Sequence, residues 1–491
     1  MPLRLYNTRT RTVEPFQTLE PGHARIYVCG LTPSAEAHLG HARSFLFFDV
    51  LRRYLEHPRN GYRVTYVQNV TDVDDRSIAA AKREGTTFDA IVAAHYGSFK
   101  ESMRRLGVRE PDEEPYATAY MAEIVAMIGE LIERGFAYAT DDGVYYSVSA
   151  FPRYGALSGK NTDELMIGAR IAENEHKRDP LDFALWKFAK PGEPSWDAPW
   201  GPGRPGWHIE CSAMSRALLG VPFDMHGGGY DLIFPHHENE IAQSEALMPA
   251  PPMAYTWVHG GLLNFEGRTM SKSLGNFDPL TALLDRHDPL AIRLLFLQTG
   301  YRKPMNFTED SIAGAKSGLE RLRRGYAVLT AEIAPPPAAE RAEPAAAYAT
   351  RFFEALDDDM NTAGATGVLF ELVSTLTRHP HAAERAAGAA FLREALALFG
   401  LEPLLERPLE VERSVELDPA LVERLAARVG EAVHLNGGGP EAAVQAIIDA
   451  RTAARKNRDF ALGDRLRDAL AAEGIVLKDS KNGTTWTVAD A

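Results

Sequence analysis

The sequence predicts an α/β protein built on a parallel β-sheet, followed by a helical region and a small C-terminal α+β module. A strand, a helix and a second strand follow one another between residues 24 and 70. Such a βαβ unit produces parallel strands joined by a right-handed crossover. Strand patterns give way to helical ones near Asp288, and short strand patterns return at 475–477 and 485–488.

The βαβ unit is defined by three segments. Residues 24–29 (ARIYVC) form a short apolar run, typical of a buried strand. Residues 41–56 carry apolar side chains at helical spacing, and residues 62–70 (YRVTYVQNV) form the next strand. Ligands bind beyond the carboxyl ends of such strands, where the string HLGH at 38–41 falls.

The chain over 116–205 interrupts this pattern, and we interpret it as an insertion. It begins with a helix over 116–135, continues with a hairpin over 138–148, and ends in a loop-rich tract with several Trp and Pro residues. Strand patterns resume at 221–226 and 255–260. Further along, the Pro- and Ala-rich tract 335–347 is typical of a linker or a long loop.

Composition favours a cytoplasmic enzyme. The chain is 45% hydrophobic and 24% charged, as in ordinary globular proteins. Its start has no apolar signal region, and no run approaches the roughly 18 apolar residues that span a bilayer. The net charge of −14 argues against a protein coated in nucleic acid but allows local basic patches. The two cysteines, Cys29 and Cys211, are not expected to form a disulfide in a reducing compartment.

The HLGH string is a candidate phosphate site. His38 and His41 lie at a strand-to-helix junction, where backbone N–H groups and the helix dipole favour an anion. Imidazoles there can donate hydrogen bonds to phosphate oxygens, and Gly40 leaves room for a base or a ribose. The alternative is two solvated histidines in a loop.

A second polar string, GRTMSKSLGN at 267–276, has the glycine and serine content of a mobile loop. Lys272 would bring a positive charge to a triphosphate, and the hydroxyls of Ser271 and Ser273 could bond to the same oxygens. A loop of this kind can close during reaction and stabilise charge in the transition state. The alternative is a solvated basic loop.

Four side chains have the chemistry of a tetrahedral zinc site: Cys29, Cys211, His236 and Glu240. The last two are four residues apart, so a helix would place them on one face. The same string offers His237 and Glu238, which spacing does not exclude. Two inert core cysteines beside a charged helix start are the alternative.

These strings resemble signatures of known enzymes. HLGH and TMSKS are similar to the His-Ile-Gly-His and Lys-Met-Ser-Lys-Ser signatures of class I aminoacyl-tRNA synthetases. Thr269 replaces the first lysine of the second signature, so Lys272 should carry more of the phosphate charge. The blocks PGWHIECSAM and GGGYDLIFPHHENEIAQSEAL, in this order, are similar to the cysteinyl-tRNA synthetase family specifically.

The resemblance implies roles for individual residues. His38, His41 and Lys272 would be catalytic, with Gly40, Ser271 and Ser273 also binding ATP. In that family the positions of Cys29, Cys211, His236 and Glu240 hold zinc, which binds the substrate cysteine through its sulfur. The amino-acid pocket would be lined by Thr32, Thr71, Trp207 and His226. Pro33-Ser34-Ala35 replaces the usual Val-Tyr-Asp, which removes an aromatic ring and an acid beside this pocket.

A metal is a physically sound way to choose cysteine. Zn²⁺ prefers a soft thiolate and lowers the pKa of a bound thiol, whereas the serine hydroxyl is harder and far less acidic. Apolar pockets separate small, similar side chains only weakly. No editing domain should therefore be needed.

The C-terminal half resembles the family's tRNA-binding part. The helical region from Asp288 is similar to the bundle that follows the catalytic domain, and 450–486 to the anticodon-side module. Trp486, taken as exposed, would suit base stacking, and a basic run would suit phosphates. That run comprises Arg451, Arg455, Lys456, Arg458, Arg465 and Arg467. Because acids interleave with it, a solvated amphipathic helix is the alternative.

We therefore expect a Rossmann-like catalytic domain in two halves, 1–115 and 206–310, separated by the insertion 116–205. A helical bundle over 311–405 and an anticodon-binding module over 415–491 would follow. The resemblance implies a monomeric cysteine–tRNA ligase with one Zn²⁺ per chain, acting on L-cysteine, tRNA(Cys) and ATP with Mg²⁺, and without a membrane. One rival is the related ligase that joins cysteine to an amino sugar in mycothiol synthesis. The other is a silent paralogue that only binds tRNA, which Thr269 alone supports.

Overall fold

The computed structural model describes residues 2–159, 176–265, 268–269, 278–331, 344–379, 381–407, 418–433, 435, 439–480 and 483–488. The chain forms two compact units, Met1–Arg407 and Pro408–Ala491. Among the described helices, none combines the length and the apolar character needed to cross a membrane.

The first unit alternates strands and helices up to residue 307 and is helical beyond it. Its described strands are β1 Arg4–Asn7, β2 Thr12–Pro15, β3 His23–Leu31, β4 Arg63–Val70, β5 Ala137–Ala139, β6 Gly143–Tyr146, β7 Phe183–Phe188, β8 Gly203–Pro205, β9 Phe223–Gly229, β10 Ala254–Gly260, β11 Leu263–Phe265, β12 Arg268–Thr269 and β13 Met305–Phe307. Its described helices are α1 Leu39–Glu56, α2 Asp75–Glu84, α3 Phe88–Arg105, α4 Met121–Glu133, α5 Trp207–Leu219, α6 Glu238–Glu245, α7 Leu280–Arg286, α8 Pro289–Leu297, α9 Glu309–Thr330, α10 Ala345–Asp357, α11 Thr362–Leu376 and α12 Ala382–Leu398.

A four-stranded parallel sheet in the order β10-β9-β3-β4 forms the centre of the first unit. All three strand pairs are parallel, which confirms the predicted α/β fold. The predicted strands at 24–29, 62–70, 221–226 and 255–260 correspond to β3, β4, β9 and β10. Because the strands run in one direction, the carboxyl ends of β3, β9 and β10 lie at the same edge of the sheet.

Neighbouring residues of β3 belong to different cores. Ile26 and Val28 pack in the core that includes α1, whereas Tyr27 and Cys29 pack in the core that includes α5 and α6. This is the period-two alternation of a strand whose sheet is covered on both faces. It places Cys29 on the side of the sheet where Cys211 lies.

The segment predicted to be an insertion contains a separate antiparallel sheet with strands in the order β5-β6-β7-β8. The hairpin predicted over 138–148 is confirmed by β5 and β6, and the predicted helix over 116–135 by α4. The tract up to Pro205, predicted to be loop-rich, contributes β7 and β8. Trp186 of β7 is wholly buried and belongs to the same core as Val144 and Tyr146 of the hairpin.

The prediction that strands end near Asp288 is wrong for β13. These three residues pair in parallel with β11, with Leu263 opposite Met305. A strand of three residues contains too few alternations to be recognised in a sequence. The predicted linker 335–347 lies mostly outside the described residues, and α10 already begins at Ala345.

The second unit consists of α13 Leu421–Val429, α14 Gly439–Lys456, α15 Phe460–Ala471, β14 Ile475–Ser480 and β15 Gly483–Val488. The two strands form an antiparallel hairpin at the predicted positions. The helices pack through a small core that includes Leu425, Ile447 and Leu466. This arrangement confirms the predicted α+β module.

Two residues of this unit that were expected at the surface are not exposed. Arg451 is only 4% exposed, because it lies one helical turn after the buried Ile447, on the same face of α14. Trp486 is half-buried and packs against the core, since β15 pairs it with Leu477. The rest of the basic run is exposed: Arg455, Lys456, Arg458, Arg465 and Arg467.

Candidate metal centre and nucleotide cavity

Four buried side chains bring their donor atoms together near the carboxyl edge of the central sheet. The thiol sulfurs of Cys29 and Cys211 lie 3.7 Å apart. One carboxylate oxygen, Glu240 Oε1, lies 3.4 Å from Cys29 Sγ and 3.1 Å from His236 Nε2. All four donors lie within 4.8 Å of one another. Two sulfurs, one imidazole and one carboxylate fit the donor preferences of a tetrahedral zinc ion.

Each ligand comes from a different local structure. Cys29 lies near the end of β3, and Cys211 in the second turn of α5. His236 lies in the turn Ile233–His237, where Phe234 has extended backbone angles, and Glu240 lies in the first turn of α6. The kink at Phe234 and the four-residue spacing bring the imidazole and the carboxylate to the same side.

The protonation of the cluster shows that it favours a cation. Burial, together with the hydrogen bond to Cys211, raises the pKa of Cys29 well above its ordinary value. Burial opposes ionisation of Cys211 too, but the Cys29 hydrogen bond and His236 lower its pKa to about 6. His236 is also buried, yet Glu240 and Cys211 raise its pKa to about 10. Burial opposes ionisation of Glu240 as well, but the neighbouring histidines lower its pKa. Without a metal, Cys29 is therefore a neutral thiol, and the cation His236 offsets only one of the two anions Cys211 and Glu240.

A second group of donors overlaps the first. His226 Nε2 lies 2.9 Å from Glu240 Oε2, and His237 Nε2 lies 3.3 Å from Cys29 Sγ. The donor atoms of both histidines lie within 4.8 Å of each other and of those of Cys29 and Glu240. Because only the first group contains both sulfurs, its chemistry suits zinc better. The other alternative, Glu238, belongs to neither group. Its carboxylate accepts a hydrogen bond from the backbone N–H of Ser158 at 2.8 Å.

A chain of hydrogen bonds supports Cys29 from behind. His237 Nδ1 lies 2.7 Å from His259 Nε2, and His259 Nδ1 lies 2.7 Å from Thr8 Oγ1. Burial lowers the pKa of both histidines, that of His259 to about 3, so both rings are neutral. Neither His259 nor Thr8 was predicted from the sequence. The signal for His259 is a histidine near the end of an apolar strand, β10.

A cavity of about 480 Å³ opens beside the cluster. It brings together residues that the sequence analysis assigned to the ATP site, the amino-acid pocket and the metal. Those among its lining are Cys29, Thr32, His38, Gly40, His41 and Trp207. Ser34 and Ala35, from the segment that departs from the family pattern, also line it. The segment 260–263, called here the far wall, lines it as well.

Residues 38–41, called here the histidine turn, start helix α1 through their side chains. His38 Nδ1 accepts from the N–H of Gly40, and His41 Nδ1 accepts from the N–H of His38, each at 3.1 Å. The two imidazoles thus cap the helix reciprocally, in the manner of a capping box. A Cβ on Gly40 would lie 2.9 Å from the His38 ring, so glycine is needed for this cap.

Of the other residues predicted to line the amino-acid pocket, Trp207 lines the cavity, whereas Thr71 and His226 do not. The Trp207 ring stacks on His236 with centroids 4.3 Å apart, so it contacts both the cavity and the metal cluster. Thr71 is buried and its hydroxyl accepts from Asn69 at 3.3 Å. His226 is buried against Glu240. Neither Thr71 nor His226 is among the described residues that line the cavity.

The predicted phosphate loop falls outside the described residues. This applies to Ser271, Lys272 and Ser273, and the described chain stops just before them at Thr269, the last residue of β12. β12 pairs with β11, which continues from the far wall.

Family models match three parts of the chain. The model described as tRNA synthetases class I (C) catalytic domain matches residues 15–317. The DALR domain matches 351–403, and the cysteinyl-tRNA ligase anticodon binding domain matches 438–486.

Similar proteins span the whole chain. A cysteine–tRNA ligase of Geobacter sulfurreducens is 46% identical over 502 residues, covering 99% of this chain and 100% of the relative. One from Alkalilimnicola ehrlichii is 46% identical over 488 residues, covering 99% of each. Among solved structures, methionyl-tRNA synthetase of Mycobacterium tuberculosis with methionyl-adenylate matches with a TM-score of 0.53 at 17% identity. That match covers 79% of this chain and 92% of the other, and it shows a shared fold.

Proposed function

The chain belongs to the cysteine–tRNA ligase family, and from this premise we propose that it activates L-cysteine with ATP and transfers the cysteinyl group to tRNA(Cys). The observation that carries the proposal is that one cavity is lined both by Cys29 of the metal cluster, with Trp207 that stacks on His236, and by the histidine turn at the start of α1. A substrate with a sulfur at one end and a carboxylate at the other would reach from the cluster toward the nucleotide.

The reaction has two steps. A carboxylate oxygen of cysteine attacks the α-phosphorus of ATP, the bond to the β-phosphate breaks, and pyrophosphate leaves. A hydroxyl of the terminal adenosine of tRNA then attacks the carbonyl carbon of cysteinyl-adenylate, AMP leaves, and the hydroxyl proton passes to solvent or phosphate. In this proposal His38 and His41 donate hydrogen bonds to phosphate oxygens, and Lys272 adds a positive charge where negative charge develops. Mg²⁺ would accompany the ATP phosphates.

Cysteine selection depends on the metal centre. We assign Cys29, Cys211, His236 and Glu240 as the residues that hold a zinc ion, because their four buried donors lie close together. When bound, zinc supplies a soft Lewis acid with a preference for a thiolate over a hydroxyl. Trp207, stacked on His236, would close the side of the pocket around the amino-acid side chain. The hydrogen bonds through His237 and His259 hold Cys29 in place.

The second unit supplies the anticodon end. Its exposed arginines and lysine would contact phosphates of tRNA(Cys), as the match to an anticodon-binding model supports. We expect the enzyme to work as a monomer in the cytoplasm, where translation takes place.

Aminoacylation tests the proposal. Purified protein with zinc, ATP and Mg²⁺ should attach labelled cysteine to tRNA(Cys). Ligation of cysteine to glucosaminyl-inositol alone would instead identify the amino-sugar ligase. Failure of both reactions, with tRNA still bound, would identify a silent paralogue.

A further inference from the structure

Arg43, two residues beyond the histidine turn, is a buried cation bonded to backbone carbonyls. It is 5% exposed. Within the part of the chain that the structure describes, its guanidinium donates to five carbonyl oxygens and to no carboxylate. These carbonyls belong to Gly261 (3.1 Å), Leu262 (2.9 Å), Gly300 (3.2 Å), Tyr301 (3.4 Å) and Lys303 (2.6 Å).

Burying a guanidinium cation without a carboxylate partner costs free energy of folding, and its hydrogen bonds to carbonyls have to offset that cost. Burial lowers the pKa of Arg43 to about 10, which still leaves the group charged at neutral pH. A buried charge without a counterion has to recover its hydration through hydrogen bonds, and here the four N–H groups of Nη1 and Nη2 make all five contacts, so at least one N–H is shared between two carbonyls. Lysine offers three N–H groups. An aliphatic residue could fill the space but could not hold two chain segments together.

One of the two segments lines the cavity and the other does not. Gly261 and Leu262 belong to the far wall, and residues 300–303 pack behind it. Arg43 lies on α1, whose first turn is the histidine turn, and both that turn and the far wall line the cavity. Its hydrogen bonds therefore join helix α1 to the far wall, and both contribute residues to the cavity in which we place ATP.

We propose that Arg43 is a positioning residue that sets the spacing between the histidine turn and the far wall, and through it the binding of ATP. This inference rests on the proposed function, because it takes this part of the cavity as the ATP site. The metal cluster lies on β3, α5, α6 and the turn before α6, and among the described residues none of the hydrogen bonds of Arg43 reaches these elements. A change at Arg43 should therefore affect the binding of ATP and not that of cysteine.

The far wall has other attachments that keep it folded when Arg43 is changed. The Phe47 ring of α1 stacks on Tyr301 with centroids 4.0 Å apart and planes 13° apart. The N–H of Gly261 donates to the Tyr301 carbonyl at 2.7 Å, and that of Met305 to the Leu262 carbonyl at 3.0 Å. The expected consequence is a displaced wall and not an unfolded one.

The test compares Arg43→Lys and Arg43→Gln with the parent enzyme in cysteine-dependent ATP–pyrophosphate exchange. Arg43→Lys should raise the KM for ATP about tenfold and Arg43→Gln about a hundredfold, as for a misplaced binding group. The KM for cysteine should stay within about twofold, and zinc content should not change. The Kd of a non-hydrolysable ATP analogue, measured by calorimetry, should rise in parallel.

A purely structural role gives a different pattern. Partial unfolding lowers the active fraction, and with it kcat, without changing the KM of either substrate. If Arg43→Gln does not fold, Arg43→Lys decides, because it keeps the charge and most of the length. An unchanged KM and Kd for the nucleotide, or an equal rise in the KM of both substrates, would overturn the proposal.

Arg52→Gln is the matched control. Arg52 lies on the same helix and pairs with Glu56 at 3.0 Å and Asp112 at 2.6 Å, away from the cavity. It should leave the KM of both substrates unchanged. Because the calorimetric Kd does not depend on catalysis, it tests Arg43 even if the parent enzyme shows no exchange, which would count against the proposed function alone.

Discussion

The imidazole rings of His38 and His41 stack with centroids 3.7 Å apart and planes 18° apart, at the start of helix α1. Each ring accepts a backbone N–H at Nδ1, so each neutral ring carries its proton on Nε2. The helix cap thus fixes the tautomer of both rings. In our account the same side chains start the helix and donate to ATP.

Two substitutions at His38 separate these roles. Asparagine can cap a helix, whereas alanine cannot, so His38→Ala should cost about 1 kcal/mol of stability and His38→Asn much less. Both remove the imidazole donor and should lower the rate of ATP–pyrophosphate exchange by about 10²–10³. Thermal unfolding and exchange kinetics measure the two effects. Full activity in His38→Asn would show that the imidazole serves only as a cap.

Substitutions at Cys211 and His237 distinguish the two possible ligand groups. Cys211→Ser should lose nearly all of the zinc, because it removes a sulfur ligand. His237→Gln should keep the metal, with an affinity lowered about ten- to a hundredfold by the loss of the hydrogen bond to Cys29. Elemental analysis and competition with a chelator measure both. Zinc retained by Cys211→Ser and lost by His237→Gln would favour the second group.

Lys272→Ala should lower cysteine-dependent exchange by orders of magnitude and leave the unfolding temperature unchanged. The lysine would add its charge mainly in the transition state, so kcat should fall more than the KM for ATP rises. Thr269→Lys, which restores the lysine of the family signature, is the companion variant and should raise kcat. Unchanged exchange in Lys272→Ala would show that this loop is wrongly assigned.

Arg293 should stabilise the first unit in a pH-dependent way. Burial opposes ionisation of Asp49, but Arg293 Nη2 lies 2.5 Å from its carboxylate and, with Arg53, keeps its pKa below the ordinary value. A carboxylate of this kind stabilises the folded state above an unfolded pKa of about 3.9, and the stabilisation is lost as the pH falls through the folded pKa. In Arg293→Met the main counter-charge is gone, so burial raises the folded pKa of Asp49 and the carboxylate is protonated near pH 4. The variant should therefore cost about 3 kcal/mol at pH 7 and clearly less near pH 4.

Urea unfolding at the two pH values measures this difference. Arg105→Met, which removes a surface ion pair with Asp285, is the control and should have little effect at either pH. An equal cost of Arg293→Met at both pH values would attribute its effect to packing and not to charge.

Arg465 represents the exposed basic run of the second unit. If it contacts a phosphate, Arg465→Gln should raise the KM for tRNA and reduce the slope of log KM against log salt concentration by about 1. Exchange without tRNA should not change. Arg428→Gln is the control, because Arg428 is paired with Glu473 at 2.6 Å. Equal slopes for the parent and Arg465→Gln would exclude this contact.

The sequence predicted the sheet because its strands are buried, apolar and clearly bounded. It could not predict β13, whose three residues are held by pairing with β11. Arg451 and Trp486 were placed on the surface by residue type alone. Their burial depends on which face of α14 and which side of β15 meet the small core, and composition carries no such information.

The candidate metal site also depends on residues that are distant in the sequence. Cys29 and Cys211 are 182 positions apart, and only the resemblance to a family joined them to His236 and Glu240. The structure brings the four together because alternate residues of β3 face opposite cores. His259 and Arg43 were not predicted, since their roles depend on backbone and side-chain partners that are distant in the chain.

The central claim is that a metal at Cys29, Cys211, His236 and Glu240 selects cysteine by its sulfur. ATP–pyrophosphate exchange with cysteine and with serine, on zinc-loaded and zinc-depleted protein, tests it most directly. The account predicts exchange with cysteine only, and only in the zinc-loaded protein. Zinc-depleted protein that still exchanges with cysteine and rejects serine would contradict it.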